Sequence, residues 1–354
     1  MTSAEEFSGA TKILVTGGAG FIGSHVVRIL LERYSVPVRV MHLPHDNMIN
    51  LKGLDVELFS GDITSPEDVT AAVKGCDVVF HLAAVYALWL ADMTLMDRVN
   101  VGGTRLLFEE CVKQSVKRVV YTSSFARFAG QGLDATCDET SPFKLDCSYY
   151  SRTKYESHQL AESYAKNGLD VVIVNPACPL GPGDYGPTPT GRVISDAFNL
   201  PVIMGVHTVS NYIDVRDCAM GHVLALEKGR TGESYILGNE NASHPDLMGS
   251  LQNVVGLKRP LVTVSPSALY PMAYLTQAIA KYVTHKAPFM TPVELEISNA
   301  GLIADPSKAR NELGLPSRAI EETLRDAVSW FVQNGYITNK EVCRKFELGG
   351  AATV

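Results

Sequence analysis

The chain has 354 residues, enough for one large domain or two smaller ones. Hydrophobic residues make up 46% of it and charged residues 19%, which is the balance of a soluble globular protein. The net charge of −7 and the absence of a basic run argue against nucleic acid as a partner.

Seven cysteines are scattered along the chain without a Cys-x-x-Cys pair. Their odd number and spacing fit reduced thiols in a cytosol, and they predict neither a disulfide framework nor a metal site. The first ten residues are acidic and polar, unlike a signal peptide. We therefore expect a cytoplasmic protein that holds no metal.

Apolar strands alternate with helices over the first half of the chain. The predicted strands are 12–16, 38–42, 56–59, 77–82, 118–122 and 170–174, and the predicted helices are 24–34, 65–73, 95–115 and 149–167. Near-continuous apolar strands that alternate with helices form a parallel sheet with both faces covered. The predicted fold class is therefore α/β, with a doubly wound parallel sheet.

The sequence changes character after Pro176. Prolines at 179, 182, 187 and 189, with glycines at 181, 183 and 186, predict a stiff loop that leaves the sheet. The later predicted elements are helix 217–227, strand 234–237, helices 305–313 and 320–334, and a frayed tail from residue 348.

The apolar stretch 268–283 is interrupted by Pro271, Gln277 and Lys281, so it is too short and too broken to span a bilayer. We expect it to be a core helix, and a position on a membrane surface is the alternative.

A glycine-rich turn at Gly17, Gly20 and Gly23 directly follows the first strand and opens the first helix. Its sequence, GGAGFIG, fits G-x-x-G-x-x-G and, from the second glycine, G-x-G-x-x-G. Such glycines let the backbone turn tightly and approach a pyrophosphate at the helix N-terminus. We therefore predict a dinucleotide-binding Rossmann domain at 11–178 and a smaller, partly interleaved substrate-binding lobe at 179–343. A turn without a ligand is the alternative.

The end of the second strand bears on the identity of the cofactor. An acidic residue there binds a ribose 2′-hydroxyl, and an arginine receives a 2′-phosphate. The chain has His42, Leu43, Pro44 and His45, which match neither pattern. This favours NAD(H), while NADP(H) stays open because His42, His45 or Arg39 could contact a phosphate.

Two further residues follow strands of the predicted sheet. Asp62 follows the third strand and could accept a hydrogen bond from an adenine amino group, or it could be an ordinary turn carboxylate. His81 ends the fourth strand, and we expect it to be a hydrogen-bonded core histidine.

Tyr150 and Lys154 lie four residues apart on one face of a predicted helix. An ammonium beside a phenol lowers the phenol pKa from about 10 toward neutrality, which makes Tyr150 a candidate proton donor or acceptor for a carbonyl or alcohol. Ser124 lies two residues beyond the fifth strand and could hold the substrate oxygen, while Lys154 could also bind a nicotinamide ribose. The alternative is a half-buried tyrosine covered by a solvated lysine.

Together, the glycine turn, the Asp62 region, His81-Leu-Ala-Ala, the Thr-Ser-Ser segment and the Tyr150/Lys154 pair resemble the extended short-chain dehydrogenase/reductases over residues 12–334. The chain is most similar to their dihydroflavonol-reductase-like and hopanoid-associated sugar-epimerase-like branch. The shared stretches are 84–89 (AVYALW), 98–104 (RVNVGGT), 185–192 (YGPTPTGR) and 211–217 (NYIDVRD).

The resemblance implies that Ser124, Tyr150 and Lys154 are catalytic, with Asn100 supporting the lysine through water. It also implies a set of residues that bind the dinucleotide together with Tyr150 and Lys154. These are Gly17, Gly20, Phe21, Ile22, His42, Asp62, Ile63, Leu82, Ala83, Ala84, Thr122 and Pro176. The chain departs from the pattern at Leu43, where reductase-like members often carry an arginine, and this departure disfavours NADP(H).

The resemblance further implies that substrate contacts come from the loops after Ala84 and Ser124 and from the chain beyond Pro179. The predicted substrate residues are Tyr86, Trp89, Phe125, Tyr185, Phe198 and Tyr212. Such a lining suits an aromatic or lipid-like ketone. A homodimer through helices 95–115 and 149–167 is a further implication of the resemblance.

Two other functions stay open. A nucleotide-sugar epimerase or dehydratase needs cations for a diphosphate, and the candidates Arg127, Arg192, Arg216 and Lys258 form only a sparse set. A protein that senses a dinucleotide without chemistry is the second alternative. The Ser/Tyr/Lys set favours an NAD(P)-dependent oxidoreductase over both.

Overall fold

A sheet of seven parallel strands forms the centre of the structure. The structure is a computed structural model, and it describes residues 10–144, 146–200 and 202–349. The expectations for the first ten residues and for the tail from residue 348 fall largely outside this part. In chain order the strands are β1 (Ile13–Thr16), β2 (Val38–His42), β3 (Glu57–Ser60), β4 (Val78–His81), β5 (Arg118–Thr122), β6 (Thr136–Cys137), β7 (Val171–Pro176), β8 (Cys178–Leu180), β9 (Ile203–Val206), β10 (Val209–Asp214), β11 (Ser234–Leu237), β12 (Glu240–Ser243), β13 (Leu261–Val264) and β14 (Ile303–Ala304).

Helices cover both faces of this sheet and build the rest of the molecule. In chain order they are α1 (Phe21–Arg33), α2 (Pro66–Val73), α3 (Thr94–Met96), α4 (Thr104–Lys113), α5 (Tyr149–Lys166), α6 (Pro189–Asn199), α7 (Val215–Lys228), α8 (His244–Val255), α9 (Pro266–Ile279), α10 (Pro292–Ala300), α11 (Ile320–Gln333) and α12 (Lys340–Gly349). The described chain also has π-helical segments at Asp97–Gly103, Ala280–Thr284 and Ala309–Leu313, and 3₁₀ turns at Met48–Leu51 and Phe125–Arg127.

The central sheet has the strand order β11-β7-β5-β4-β1-β2-β3, and all of its pairings are parallel. The strand order reverses between β1 and β4, because β2 and β3 continue on one side and β5, β7 and β11 on the other. Loops diverge at such a reversal and leave a crevice at the carboxyl ends of the strands. The predicted doubly wound α/β fold of the Rossmann type is therefore confirmed.

The inner strands β1, β4, β5 and β7 are buried on both faces, which explains why their sequences are apolar without alternation, whereas the edge strand β3 is largely exposed. Ile13 and Val15 of β1 point into a core shared with α1 and α7. Leu14 points to the opposite face, where it packs with side chains of α2, α4 and α5. A single short strand thus joins two hydrophobic layers.

The second half of the chain returns to this sheet before it forms a lobe of its own. β11 pairs with β7, and α7 packs against α1 on one face. The lobe has a separate core that includes Phe198 of α6, Leu251 of α8 and Phe331 of α11. Its small sheets are β12-β10-β8 and β13-β9. The division at residue 178 stays a prediction, and α7 and β11 are where the two parts interleave.

Two predicted helices differ from the observed ones. The helix predicted at 95–115 contains the π-helical segment Asp97–Gly103, and the one predicted at 305–313 is π-helical from Ala309 to Leu313. A π-helical turn accommodates one extra residue, and such turns frequently occur at functional sites. The stiff loop predicted after Pro176 contains β8 and ends at α6, which begins at Pro189.

The apolar stretch 268–283 forms most of α9 and the π-helical segment after it, but the prediction of a core helix is wrong. Leu269, Ala273 and Ala280 are buried, whereas Leu275 is 61% exposed and Tyr282 is 71% exposed. The segment is apolar on more than one face, and only one face packs against the protein. Within the described residues, every helix is too short or too polar to cross a bilayer.

We predict a loss of stability in mild acid that originates in two buried histidines. Burial lowers the pKa of His81 to about 3 and that of His222 to about 4, so both imidazoles are neutral in the folded chain. An unfolded histidine titrates near pH 6.5, so below that value the unfolded chain binds more protons than the fold. The free energy of unfolding should fall by about 1.5 kcal/mol per histidine between pH 6.5 and pH 5, measured by urea titration.

A variant and a matched control separate this effect from the titration of other groups. His222→Gln removes one buried imidazole, so its unfolding free energy should depend less steeply on pH over this interval. His207 is exposed, and His207→Gln should behave as the wild type does. Equal pH dependence in the His222→Gln variant and the wild type would contradict the assignment.

Candidate active site

A cavity of about 890 Å³ lies at the carboxyl ends of β1 and β4, where the strand order reverses. All of the residues predicted to bind a dinucleotide lie on its wall. They are Gly17, Gly20, Phe21, Ile22, His42, Asp62, Ile63, Leu82, Ala83, Ala84, Thr122, Tyr150, Lys154 and Pro176. The structure therefore brings into one crevice the segments that the sequence separates by up to about 160 positions.

The glycine turn forms the tightest part of this crevice. Gly17 has φ +69°, and a Cβ atom on it would lie 2.8 Å from the backbone nitrogen of Ala83. A Cβ atom on Gly23 would lie 2.3 Å from the carbonyl oxygen of Gly17. Gly20 is the N-cap of α1 and provides no side-chain cap, so the N-terminal dipole of α1 is open to an anion. The turn thus fits a pyrophosphate.

Two polar side chains that the sequence analysis missed hold this turn against the glycine–proline loop. The amide nitrogen of Asn50 donates to the carbonyl oxygens of Ala19 at 3.3 Å and Gly183 at 3.1 Å. Nε2 of His25 donates to the carbonyl oxygen of Pro182 at 2.9 Å. No local pattern marks these residues, because their partners are distant in sequence.

The end of β2 carries both histidine and carboxylate groups on the cavity wall. Nδ1 of His42 donates to the carbonyl oxygen of Leu43 at 2.9 Å. A carboxylate oxygen of Asp46 accepts from the backbone nitrogen of Leu43 at 2.9 Å. Asp62, after β3, accepts from the backbone nitrogen and hydroxyl of Thr64, each at 2.8 Å. Its present contacts are those of a turn carboxylate, and its wall position also leaves it accessible to a ligand.

Tyr150 lies on the wall near the N-terminus of α5, beside Ser124. Ser124 is the N-cap of the 3₁₀ turn after β5, and its Oγ accepts from the backbone nitrogen of Ala126 at 3.2 Å. Burial raises the pKa of Tyr150 to about 12, and a hydrogen bond with Ser124 partly opposes the rise. The expected lowering of this pKa by Lys154 is therefore corrected, because desolvation of the phenolate is the largest cause and raises the pKa.

Lys154 is 3% exposed, and its Nζ donates to the carbonyl oxygen of Thr122 at 2.7 Å. The ammonium also lies 5.2 Å from the centre of the Tyr121 ring. Burial lowers the pKa of Lys154 to about 7. The lysine is thus a buried group on the cavity wall and not a solvated cover for the tyrosine.

Asn100 lies in the π-helical segment and joins three parts of the site. Its side-chain oxygen accepts from the backbone nitrogen of Val85 at 2.7 Å, and its side-chain nitrogen donates to the carbonyl oxygen of Val85 at 3.0 Å. The same nitrogen donates to Oγ1 of Thr153 at 3.1 Å. These bonds hold α5 against the loop after β4. Support of Lys154 through water stays a prediction.

The predicted substrate residues separate into two groups. Tyr86, Phe125 and Tyr185 lie on the cavity wall, and the rings of Tyr86 and Tyr150 are 4.8 Å apart. Phe198 and Tyr212 lie instead in the hydrophobic core of the C-terminal lobe. Their assignment as substrate residues is therefore corrected. Trp89 lies half-buried in the loop between β4 and α3 and is not among the described residues of the cavity wall.

The cavity wall also includes apolar residues that the sequence analysis missed. Ile297 of α10 and Leu302 lie on it, and both are distant in sequence from the strands of the central sheet. Neither belongs to a motif, and only the folding of the C-terminal lobe brings them to the site. The far part of the crevice is therefore lined largely by aromatic and aliphatic side chains.

Comparisons with known proteins agree with this architecture. A model of the NAD dependent epimerase/dehydratase family matches residues 13–238. A putative dihydroflavonol 4-reductase from Synechocystis sp. is 37% identical over 91% of this chain and 95% of that protein. Sterol demethylase protein B from Methylococcus capsulatus is 32% identical over 92% of this chain and 99% of that protein.

Solved structures are similar as well. The crystal structure of gox2253 has a TM-score of 0.81 and 36% identity, and it covers 93% of this chain and 100% of its own. A nucleoside-diphosphate-sugar epimerase from Pseudomonas aeruginosa has a TM-score of 0.76 and 27% identity, over 93% of this chain and 99% of its own.

We predict that the third glycine of the turn tolerates no side chain. In Gly23→Ala the added methyl group would clash with the carbonyl oxygen of Gly17, so the backbone of the turn or of α1 must move. Stability should fall by about 1–3 kcal/mol in urea unfolding, and the affinity for a dinucleotide should fall with it. Gly249→Ala is the matched control, because a Cβ on this helical glycine meets nothing within 4 Å. It should raise stability by about 0.5–1 kcal/mol, and an equal gain in Gly23→Ala would refute the steric argument.

Proposed function

The chain belongs to the NAD-dependent epimerase/dehydratase family of extended short-chain dehydrogenase/reductases and is an NAD(P)-dependent oxidoreductase; from this premise we propose its substrate class and mechanism. It reduces the carbonyl, or oxidises the alcohol, of a hydrophobic aromatic or lipid-like small molecule. Relatives whose names refer to dihydroflavonol, sterol and hydroxysteroid chemistry support this class.

The observation that carries the proposal is the composition of the cavity wall. Among the wall residues that the structure describes, Lys154 is the only lysine or arginine. Its ammonium lies beside the proposed reacting centre, so it cannot also neutralise a distant diphosphate. Tyr86, Phe125 and Ile297 offer apolar surface instead. Apolar walls with few polar groups are typical of sites for hydrophobic small molecules.

The arginines considered for a diphosphate lie off the described cavity wall, and each has a partner in the protein. Arg127 donates to the carbonyl oxygen of Ser141 at 3.0 Å. Arg192 donates to the carbonyl oxygen of Pro187 at 3.2 Å. Arg216 forms ion pairs with Asp214 and Asp326, both at 2.7 Å. A nucleotide-sugar epimerase or dehydratase is therefore the less favoured function.

In the proposed reaction, a bound nicotinamide supplies or accepts the hydride. Tyr150 is protonated at neutral pH because burial raises its pKa to about 12, so it can donate its hydroxyl proton to a carbonyl oxygen. Ser124 donates a hydrogen bond to the same oxygen. Lys154 in its ammonium form stabilises the phenolate that remains and binds the ribose hydroxyls.

We predict that Tyr150→Phe abolishes turnover and leaves dinucleotide binding intact. The variant keeps the ring and removes only the hydroxyl group that donates the proton, so kcat should fall by about 10²–10⁴-fold. Turnover would be measured on a panel of hydrophobic ketones and alcohols, and NADH affinity by fluorescence titration. Tyr149→Phe is the matched control, because the Tyr149 hydroxyl bonds to Asp97 outside the cavity.

The alternatives give different results in the same assays. An epimerase would act on nucleotide sugars and show no net change in NADH. A dinucleotide sensor would bind NADH without turnover of any substrate in the panel. Undiminished turnover by the Tyr150→Phe variant would overturn the proposed mechanism.

For the cofactor we propose NAD(H), with Asp46 as the residue that selects it. Asp46 lies on the wall four residues beyond β2, where an acidic group can accept a bond from a ribose 2′-hydroxyl and repel a 2′-phosphate. NADH should bind more tightly than NADPH, and Asp46→Asn should narrow the gap by about tenfold in fluorescence titrations. Asp55→Asn, an exposed carboxylate off the wall, should leave the ratio unchanged. Tighter binding of NADPH by the wild type would contradict this proposal.

A further inference from the structure

An apolar stripe runs along the outside of α9 and the π-helical segment after it. Its exposed residues recur every three or four positions, as neighbours on one helix face do. They are Pro271, Tyr274, Leu275, Ala278, Ile279, Tyr282 and Val283. Phe289 follows in the next loop and is 75% exposed. We call the exposed side chains of residues 271–289 the docking surface.

The opposite face of the same helix is apolar as well. Leu269 and Ala273 are buried in a small core with Leu295 of α10. A surface helix ordinarily carries polar residues on the face turned away from its core. Contiguous exposed apolar patches of this kind mark interaction sites on soluble proteins. α9 therefore has the composition of a helix that is covered on both faces.

The positive charge of the docking surface indicates what kind of partner covers it. In sequence, residues 247–293 contain four cations, Lys258, Arg259, Lys281 and Lys286, and no aspartate or glutamate, although the whole chain has a net charge of −7. The acidic residues that follow on α10, Glu294 and Glu296, are partly buried. Lys281 and Lys286 are exposed within the docking surface itself. The Lys281 ammonium lies 5.2 Å from the centre of the Tyr282 ring. Apolar and aromatic side chains interspersed with lysines complement an anionic lipid surface.

We propose that the docking surface binds the protein to the surface of an anionic lipid bilayer. α9 lies in the plane of the headgroups, with Leu275, Ile279 and Tyr282 in the outer acyl region and the two lysines among the lipid phosphates. A second copy of this chain would carry the same lysines toward each other and is disfavoured by like charge. Binding to the surface needs no membrane-spanning helix.

The docking surface is connected to the candidate active site. α9 packs on α10, and Ile297 of α10 lies on the cavity wall. A lipid-like substrate would thus be dissolved in the bilayer against which the C-terminal lobe rests. This consequence rests on the proposed function, whereas lipid binding itself does not depend on the reaction.

The test is sedimentation of the full chain with sucrose-loaded vesicles of phosphatidylcholine alone or with 30% phosphatidylglycerol. The wild type should bind the anionic vesicles, and 0.5 M salt should weaken binding. Lys281→Gln/Lys286→Gln should weaken it by about 25-fold, which is about fivefold for each lysine. Leu275→Ser/Tyr282→Ser should weaken it by about tenfold or more.

Leu58→Ser/Leu133→Ser is the matched control, since these leucines are 53% and 42% exposed elsewhere on the molecule. It should bind as the wild type does, and thermal melts should confirm that all variants fold. Failure of the folded wild type to bind anionic vesicles overturns the proposal, whatever the enzyme assays show. So does conversion of a dimer into a monomer by Leu275→Ser/Tyr282→Ser in sedimentation velocity, which would make the docking surface a contact between copies.

Discussion

The candidate active site depends on a close approach of two backbones. A Cβ atom on Gly17 would lie 2.8 Å from the nitrogen of Ala83, so the turn after β1 and the loop after β4 meet where no side chain fits. β1 and β4 are the neighbours at which the strand order reverses, and this contact therefore sets the floor of the crevice. Asn50 holds the other side of the turn by bonding both Ala19 and Gly183. The shape of this part of the cavity is thus set by the backbone and not by the reactive side chains.

Burial then sets the chemistry of the groups on the wall. It favours the uncharged forms of Lys154 and Tyr150, with a pKa of about 7 for the lysine and about 12 for the tyrosine. Tyr150 therefore carries its proton at neutral pH, and the phenolate that a proton transfer would leave is favourable only beside a charged lysine. The carbonyl of Thr122, at 2.7 Å, favours that charged form. The end of β5, which lies just before Ser124, thereby also positions Lys154.

The parts of this arrangement that sequence reasoning predicted are local. Strands 38–42, 118–122 and 234–237 were predicted with the observed limits, because runs of apolar residues bounded by turns are sufficient to indicate a buried strand. Most of the residues predicted to bind a dinucleotide lie together because they stand at or just after the carboxyl ends of strands of one parallel sheet. Phe198 and Tyr212 were misassigned, since an aromatic residue in a lobe can line a cavity or seal a core, and only tertiary packing distinguishes the two. The same limit applies to α9, whose apolar residues do not indicate which of them meet protein.

The proposed preference for an uncharged substrate is supported by how the fold uses its cations. Recruiting Arg216 to a diphosphate in the cavity would leave Asp214, whose side chain is 0% exposed, with fewer partners. Arg318 and the Thr323 hydroxyl also contact this carboxylate, so it belongs to a buried network. Removing one partner of a buried ion pair typically costs about 3–5 kcal/mol. A diphosphate in the cavity would be under-neutralised without such a rearrangement, because Lys154 is the only lysine or arginine on the described wall. The ion pairs of the C-terminal lobe therefore hold Arg216 away from the cavity, and the proposed substrate class is coupled in this way to the packing of that lobe.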